Sequence, residues 1–445
     1  MFFLYNFLAK YSRGLYTFCG NLCLEGKMSI SSRTRSAVKY LKTFLKWLFC
    51  AGAVGLICGA VGVSFHYMVD IATKLRAARS WLLYLLPAAG LFIVFLYRVL
   101  KMEDDGGTNH IFQAIRTGER VPLRMAPLIY IGTVLTHLCG GSAGKEGAAL
   151  QIGGSVSAFF GGLFHFNEKD MRIITLCGMS AVFSAIFGTP VTAALFCLEV
   201  ISVGVIYYSA LIPCLISALV ARQLALYLGV AGLVLPSVAL PAGLEFTSLL
   251  QTGALSMLCA GLGIMLCMGL HISGGLYKKL LPNSYIRVAA GGALVVLLSL
   301  VTGTRDYNGA GLGIIVSAVS GEALPWAFAA KLLFTALTLG AGYKGGEIVP
   351  TLFIGSTFGC FAGGLLGLDP GFGAALGLIG VFCGVVNCPI SSIVLSVELF
   401  GGDGLVYFAL ACAVSYMLSG RFSLYSAQRI VYSKLEPTYV NVETR

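Results

Sequence analysis

Charge is what this chain has least of. Only 11% of its 445 residues are Asp, Glu, Lys or Arg, against 57% hydrophobic, more apolar side chain than one soluble core of that length can hide. A soluble globular protein is excluded. Acids are scarcer than bases, 19 against 30, yet the resulting +11 does not mark a nucleic-acid binder, because the basic residues sit in short segments beside apolar runs with no aromatic and basic interleaving. CxxC pairs are absent, and the 14 cysteines are scattered, many inside apolar segments, as small buried hydrophobes would be. The five histidines, His66, His110, His137, His165 and His271, show no ligand spacing, so neither a metal nor a cofactor is expected. Residues 1–8 are apolar but lack a basic flank and a small-residue cleavage site, which argues against a signal peptide.

What is present is thirteen apolar stretches between 47–66 and 404–419. A bilayer-crossing helix needs about 20 such residues, and several of these runs are far shorter. Glycine and proline interrupt them repeatedly, and in hydrocarbon the freed backbone groups stay unpaired unless they line a cavity or meet a ligand. The pattern predicts an all-α polytopic membrane protein with broken, paired half-helices. Lys27, Arg33, Arg35, Lys39, Lys42 and Lys46 precede the first long run without an intervening acid, which predicts a cytoplasmic, interfacial N-terminal segment over 1–46.

The chain also repeats itself. Leu135, Thr136, Gly140, Gly144, Leu150, Ile152 and Gly153 recur as Leu337, Thr338, Gly342, Gly346, Leu352, Ile354 and Gly355, all at an offset of 202, and Pro190 through Glu199 recurs as Pro389 through Glu398 at 199. The expected organisation is a first transmembrane repeat over 47–232, a second over 246–420, and a C-terminal helix with a short tail over 421–445. Matching interrupted segments in two halves point to a substrate site near the bilayer midplane, here where the two glycine-rich loops meet.

The first loop, Gly140-Gly141-Ser142-Ala143-Gly144-Lys145-Glu146-Gly147, places a cation and a carboxylate between apolar segments, a costly position that is usually functional. It spells G-x-S-x-G without the strand that a nucleophile elbow requires. It also resembles a truncated phosphate loop, but Glu146 stands where the magnesium-holding hydroxyl belongs. What such a loop does supply is exposed backbone N–H groups and the positive end of a helix, which suit an anion. The second loop, Gly342-Tyr343-Lys344-Gly345-Gly346-Glu347-Ile348-Val349-Pro350, has the same design, and Tyr425 follows the last long apolar run with a phenol able to donate one hydrogen bond.

These residues resemble the CLC family of chloride channels and proton-coupled anion exchangers, over about residues 47–435. Gly144-Lys145-Glu146-Gly147 is similar to the family's G(K/R)EGP motif with Ala148 for its proline, Gly346 through Pro350 to GxFxP with Ile348 for its phenylalanine, and Tyr425 falls where the family has its central tyrosine. The resemblance implies an inverted-repeat homodimer in the cell membrane, with one path per subunit for small anions, fluoride or chloride, and for protons. Glu146 would be the external gate and proton carrier. The anion-binding residues it implies are Tyr425, Gly107, Thr108, Asn109, Gly346, Ile348 and Val349, with Thr108 and Asn109 at the inner mouth.

Departures narrow the likeness. Gly107 replaces a serine of the family's GSGIP loop, and Val200 replaces the internal glutamate of chloride/proton exchangers. With Val121 through Leu128, Gly303 through Tyr307 and the Gly345-Gly346-Glu347 loop, the chain is similar to the fluoride-exporting branch, in which Glu347 would be a second proton site. Ala148 and Val349 stand where that branch commonly has threonine. A fluoride/proton antiporter is the expectation; a chloride channel or chloride/proton exchanger is the alternative. Read from the residues alone, Glu347 has a second explanation, a carboxylate near a helix start paired with Lys344. Glu199 and Glu398, at equivalent repeat positions, read as structural. An intramembrane serine hydrolase using Ser142 and His137 lacks a third orienting group. The 20 residues after Tyr425 are too few for an appended regulatory nucleotide-binding domain.

Overall fold

A computed structural model describes residues 30–444 other than Asp104, Arg120 and Ala242, with side chains from Ala37 onward. Residues 1–29 of the basic N-terminal segment lie outside the described residues; Lys39, Lys42 and Lys46 are exposed on a helix. The chain divides into units 1–50 and 51–445, and the second contains every element that builds the site.

Among the described residues sixteen α-helices form, eight in each half. They are α1 (Ile30–Ala78), α2 (Leu86–Val99), α3 (Thr108–Thr117), α4 (Met125–Leu138), α5 (Glu146–Leu163), α6 (Glu168–Phe187), α7 (Pro190–Glu199) and α8 (Leu211–Tyr227), then α9 (Phe246–Leu280), α10 (Ser284–Thr302), α11 (Leu312–Val319), α12 (Ala327–Ala341), α13 (Ile348–Leu365), α14 (Pro370–Val386), α15 (Pro389–Phe400) and α16 (Leu405–Leu418). Seven helical segments are long and apolar enough to cross a bilayer. At 1.5 Å per residue, α3, α7, α11 and α15, with 10, 10, 8 and 12 residues, cannot. These are half-helices; α7 and α15 fall within the apolar runs 190–232 and 389–400, and α3 and α11 lie between runs.

The repeat is visible as matching geometry. The series α4–α7 and α12–α15 have lengths of 14, 18, 20, 10 and 15, 18, 17, 12 residues. In each, the loop-borne helix crosses its successor glycine on glycine. A Cβ on Gly153 of α5 would lie 2.1 Å from the Gly178 carbonyl of α6, and one on Gly355 of α13 would lie 2.5 Å from that of Gly377 of α14. Where lipid offers no hydrophobic drive between helices, such close backbone approach supplies the contact energy. Both successors end on a left-handed residue, Gly188 (φ 90°) and Asn387 (φ 59°), and both chains restart at proline, Pro190 and Pro389.

Glu199 and Glu398 explain how α7 and α15 hold together. The Glu398 carboxylate accepts from the backbone N–H of Val191 (3.1 Å) and Thr192 (2.8 Å) at the start of α7. Reciprocally, Glu199 accepts from the N–H of Ile390 (3.2 Å) and Ser391 (2.9 Å) and from the Ser391 hydroxyl (2.6 Å) at the start of α15. Each carboxylate caps the helix of the other repeat, where amides lack intrahelical partners. Replacing Glu199 by Ala is expected to cost about 2 kcal/mol, read as a lower melting temperature in detergent, with Glu199→Gln losing less.

Segment 421–445 is not the expected C-terminal helix. Tyr425 sits in an irregular loop after α16, and the chain then forms two strands, β2 (Arg429–Tyr432) and β3 (Tyr439–Glu443), joined antiparallel. β2 also pairs in parallel with β1 (Ser202–Val203) just after α7. The reason is local: Arg-Ile-Val-Tyr and Tyr-Val-Asn-Val-Glu are β-branched and aromatic, and Pro437 between them bars a continuous helix.

Candidate functional site

The two glycine loops meet through their backbones. Gly144 N donates to Gly346 O and Gly346 N to Gly144 O, both at 2.7 Å, an isolated antiparallel bridge joining the repeats. The bridge leaves no room for side chains: a Cβ on Gly346 would lie 2.4 Å from Gly147 N, and one on Gly345 2.5 Å from the Ala143 methyl. The first loop is fixed from α12 as well. Ser142 N donates to Thr338 Oγ1 (3.1 Å), and the Ser142 and Thr335 hydroxyls are 3.0 Å apart.

Immediately beyond the bridge, α5 begins with Glu146, which is 3% exposed. Its carboxylate folds back and accepts from Lys145 N at 3.0 Å. A Cβ placed on Gly144 would touch Glu146 Oε2, Val349 and Pro350, so the carboxylate lies over the start of α13. An acidic side chain thus occupies the amide-rich junction of two helix starts. On one side of this junction, a cavity of about 400 Å³ is lined by His66, Arg76, His137, Lys145 and Arg305, and Lys145 Nζ donates to His66 Nδ1 at 2.7 Å.

A second cavity, about 220 Å³, is lined by Gly107, Thr108, Asn109, Gln151, Lys344, Glu347, Tyr425 and Asp105 among others. The first turn of α3 opens on it. Thr108 Oγ1 donates to Gly147 O (3.4 Å) and accepts from Gln151 Nε2 (3.1 Å), which ties α3 to α5. Glu347 Oε2 and the Tyr425 hydroxyl are buried on this wall without a protein partner. Asp105 Oδ2 is orphaned on the same cavity; buried polar groups are almost always satisfied, so three orphans on one small cavity call for a guest.

Tyr425 is held firmly although its loop is irregular. Its ring meets Phe112 edge-on at 5.0 Å, and its N–H donates to Ser423 Oγ at 3.1 Å. Gln428, fully buried, donates through Nε2 to Val200 O and Val386 O, both at 2.8 Å, and accepts through Oε1 from Asn387 Nδ2 and Ser423 Oγ, both at 2.9 Å. From the end of β3, Thr444 Oγ1 donates to Tyr425 O at 2.7 Å. Asn109 Oδ1 accepts from Ala427 N at 2.9 Å. The tyrosine loop is therefore anchored to both repeats.

Residues 89–420 match the family model described as voltage gated chloride channel. The chain belongs to that family, the CLC anion transporters. A chloride/fluoride channel protein of Pseudomonas syringae pv. tomato is 35% identical over 424 residues, 92% of each chain. The crystal structure of a CLC-type fluoride/proton antiporter superposes with a TM-score of 0.83 at 29% identity, covering 86% of this chain and 98% of the other. A slow cyanobacterial Cl−/H+ antiporter gives a TM-score of 0.72 at 21% identity over 84% and 94% of the chains, a likeness of fold.

Within this CLC chain, the sequence-derived residues fall into two sets. Gly107, Thr108, Asn109, Glu347 and Tyr425 surround one cavity. Glu146, Gly346, Ile348 and Val349 form the constriction beside it; Ile348 and Val349 are fully buried and contribute the first-turn amides of α13. Lys344 does not pair with Glu347: its ammonium lies 4.0 Å from the centre of the Tyr97 ring, and Glu347 Oε2 stays free. Ser142 bonds to Thr335, and His137 Nδ1 donates to Thr133 O at 2.9 Å, so the hydrolase pair does not exist; CLC proteins are channels or antiporters, not enzymes. Gln151 and Asp105 were not legible as site residues. The lone amide of Gln151 in an otherwise apolar first half of α5 was the available sign. Asp105 carried none, being one of several acids in a loop.

Proposed function

We propose that the protein is a homodimeric, proton-coupled fluoride antiporter of the cell membrane that exports fluoride, with its N-terminus in the cytoplasm. The observation that carries this reading is the pair of unsatisfied buried groups, Glu347 Oε2 and the Tyr425 hydroxyl, on one cavity beside the Glu146 constriction. Fluoride is small and strongly hydrated, so it needs dense donors; Tyr425 and the first-turn amides of α3 and α13 offer them. Glu146 competes for the same amides as a carboxylate. Protonation removes its charge, frees the amides for the anion, and loads the proton that returns. Val200 leaves the second proton step without the usual internal acid, and Glu347 stands at the cavity to take it. The 35% identical chloride/fluoride channel protein and the superposable fluoride/proton antiporter support the assignment.

The test is efflux from proteoliposomes followed with fluoride- and chloride-selective electrodes. Fluoride leaving well ahead of chloride, together with proton uptake, is expected. Glu347→Gln is expected to slow coupled fluoride flux by about 100-fold, the scale of one lost proton-transfer group. Ala148 and Val349 in place of threonines favour a second reading, chloride conduction; equal passive flux of both ions without proton movement would establish it instead.

A further inference from the structure

Asp105 lines two cavities. It lines the 220 Å³ cavity that holds Glu347 and Tyr425, and also a cavity of about 500 Å³ lined by Lys101, Met102, Glu103 and His110. Its side chain is 1% exposed, whereas that of His110, with Nδ1 3.5 Å from Asp105 Oδ1, is 33% exposed. The two oxygens differ. Oδ1 accepts from Gly107 N at 3.1 Å, fixing the turn that starts α3, while Oδ2 is buried without a partner. A carboxylate oxygen out of water normally finds a donor, and this one stands between the cavity that holds Glu347 and the one lined by His110.

We propose that Asp105 is the proton-transfer residue linking Glu347 to bulk water, with His110 as its outer partner. The inference rests on the fluoride/proton reading above. A CLC chain with Val200 at the internal acid position still has to pass each proton on from Glu347, and Asp105 is the carboxylate that lines both cavities. The step moves protons alone. The O–H bond of a protonated Glu347 breaks as an O–H bond forms on Asp105 Oδ2, through water in a cavity large enough for a short chain. That bond then breaks in turn, and the proton passes to His110 or to water in the outer cavity. Every group returns to its starting state after one turnover. The charged and titratable groups facing Asp105 are His110, Glu103 and Lys101 on the outer side, Lys344, Glu347 and Tyr425 on the inner, and Tyr97 from α2.

Asp105→Asn tests this, because the amide oxygen keeps the bond from Gly107 N while removing the exchangeable proton. In proteoliposomes, fluoride-driven proton flux is expected to fall at least about tenfold, the lower range for a lost acid or base. Asp105→Glu should retain most of it, and imidazole supplied on the Asp105 side should restore the Asn variant by carrying the proton itself. A wild-type rate in Asp105→Asn, or a loss that neither imidazole nor Asp105→Glu relieves, would overturn the assignment. The parent reading fails separately: wild-type protein that moves fluoride without protons would reject the antiporter itself.

Discussion

In proteoliposomes loaded with fluoride, the Glu146→Gln protein is expected to release anion without taking up protons. The glutamine occupies the volume of the carboxylate at the head of α5 but neither titrates nor carries a full charge. It still reaches Lys145 N through its amide oxygen, so the constriction formed by Gly144, Val349 and Pro350 keeps its shape. What changes is competition. An ionised carboxylate excludes an anion from the same amides by charge, and opposing a unit charge a few ångströms away at an effective dielectric of 20 costs about 4 kcal/mol. A neutral amide excludes it only by size. Proton flux should therefore drop by two orders of magnitude or more, while anion flux becomes passive. Retained proton coupling in this variant would remove Glu146 from the proton path.

The second large effect is expected at the bridge between the repeats. In Gly346→Ala the new methyl carbon would lie 2.4 Å from Gly147 N, 3.0 Å from Gly147 Cα and 3.3 Å from Glu146 N. All three are backbone atoms in the first turn of α5, so no rotamer change relieves the clash. The loops must part, both 2.7 Å bonds between Gly144 and Gly346 break, and the amides of α5 and α13 no longer converge. A displacement of about 1 Å at a functional constellation costs on the order of 100-fold, and a loss of anion flux of that size is expected. Gly261→Ala, on α9 with nothing within 4 Å of the new carbon, serves as the control and should transport like the wild type. Comparable flux in Gly346→Ala and Gly261→Ala would show that the bridge does not set the site.

Much of this architecture was legible in the sequence because membrane constraints act locally. A glycine or proline inside an apolar run has to leave backbone unpaired, so the short run 389–400 announced the half-helix α15, whereas α7 lay hidden in the long run 190–232 and α3 and α11 fell outside the apolar runs. The offsets of 202 and 199 aligned two loops whose backbones the structure joins at Gly144 and Gly346. The mutual capping by Glu199 and Glu398 was less accessible. Their equivalence was visible, but that each caps the other repeat requires knowing which helix ends face one another. Gln151, Asp105 and Gln428 were invisible for a similar reason: each acts by joining elements far apart in the chain, as Gln428 does with Val200 and Val386, and a single amide or acid carries no spacing. The C-terminal segment misled because the loop holding Tyr425 follows a long apolar helix, and only the β-branched runs on either side of Pro437 point to strands.

Uphill proton transport is the most direct test of fluoride export by proton exchange. Vesicles containing the wild-type protein, with equal pH on both sides and fluoride concentrated inside, should draw protons inward as fluoride leaves, generating a pH gradient where none existed. Fluoride escaping with no pH gradient formed, under conditions where an added protonophore shows that the vesicles can report one, would contradict it.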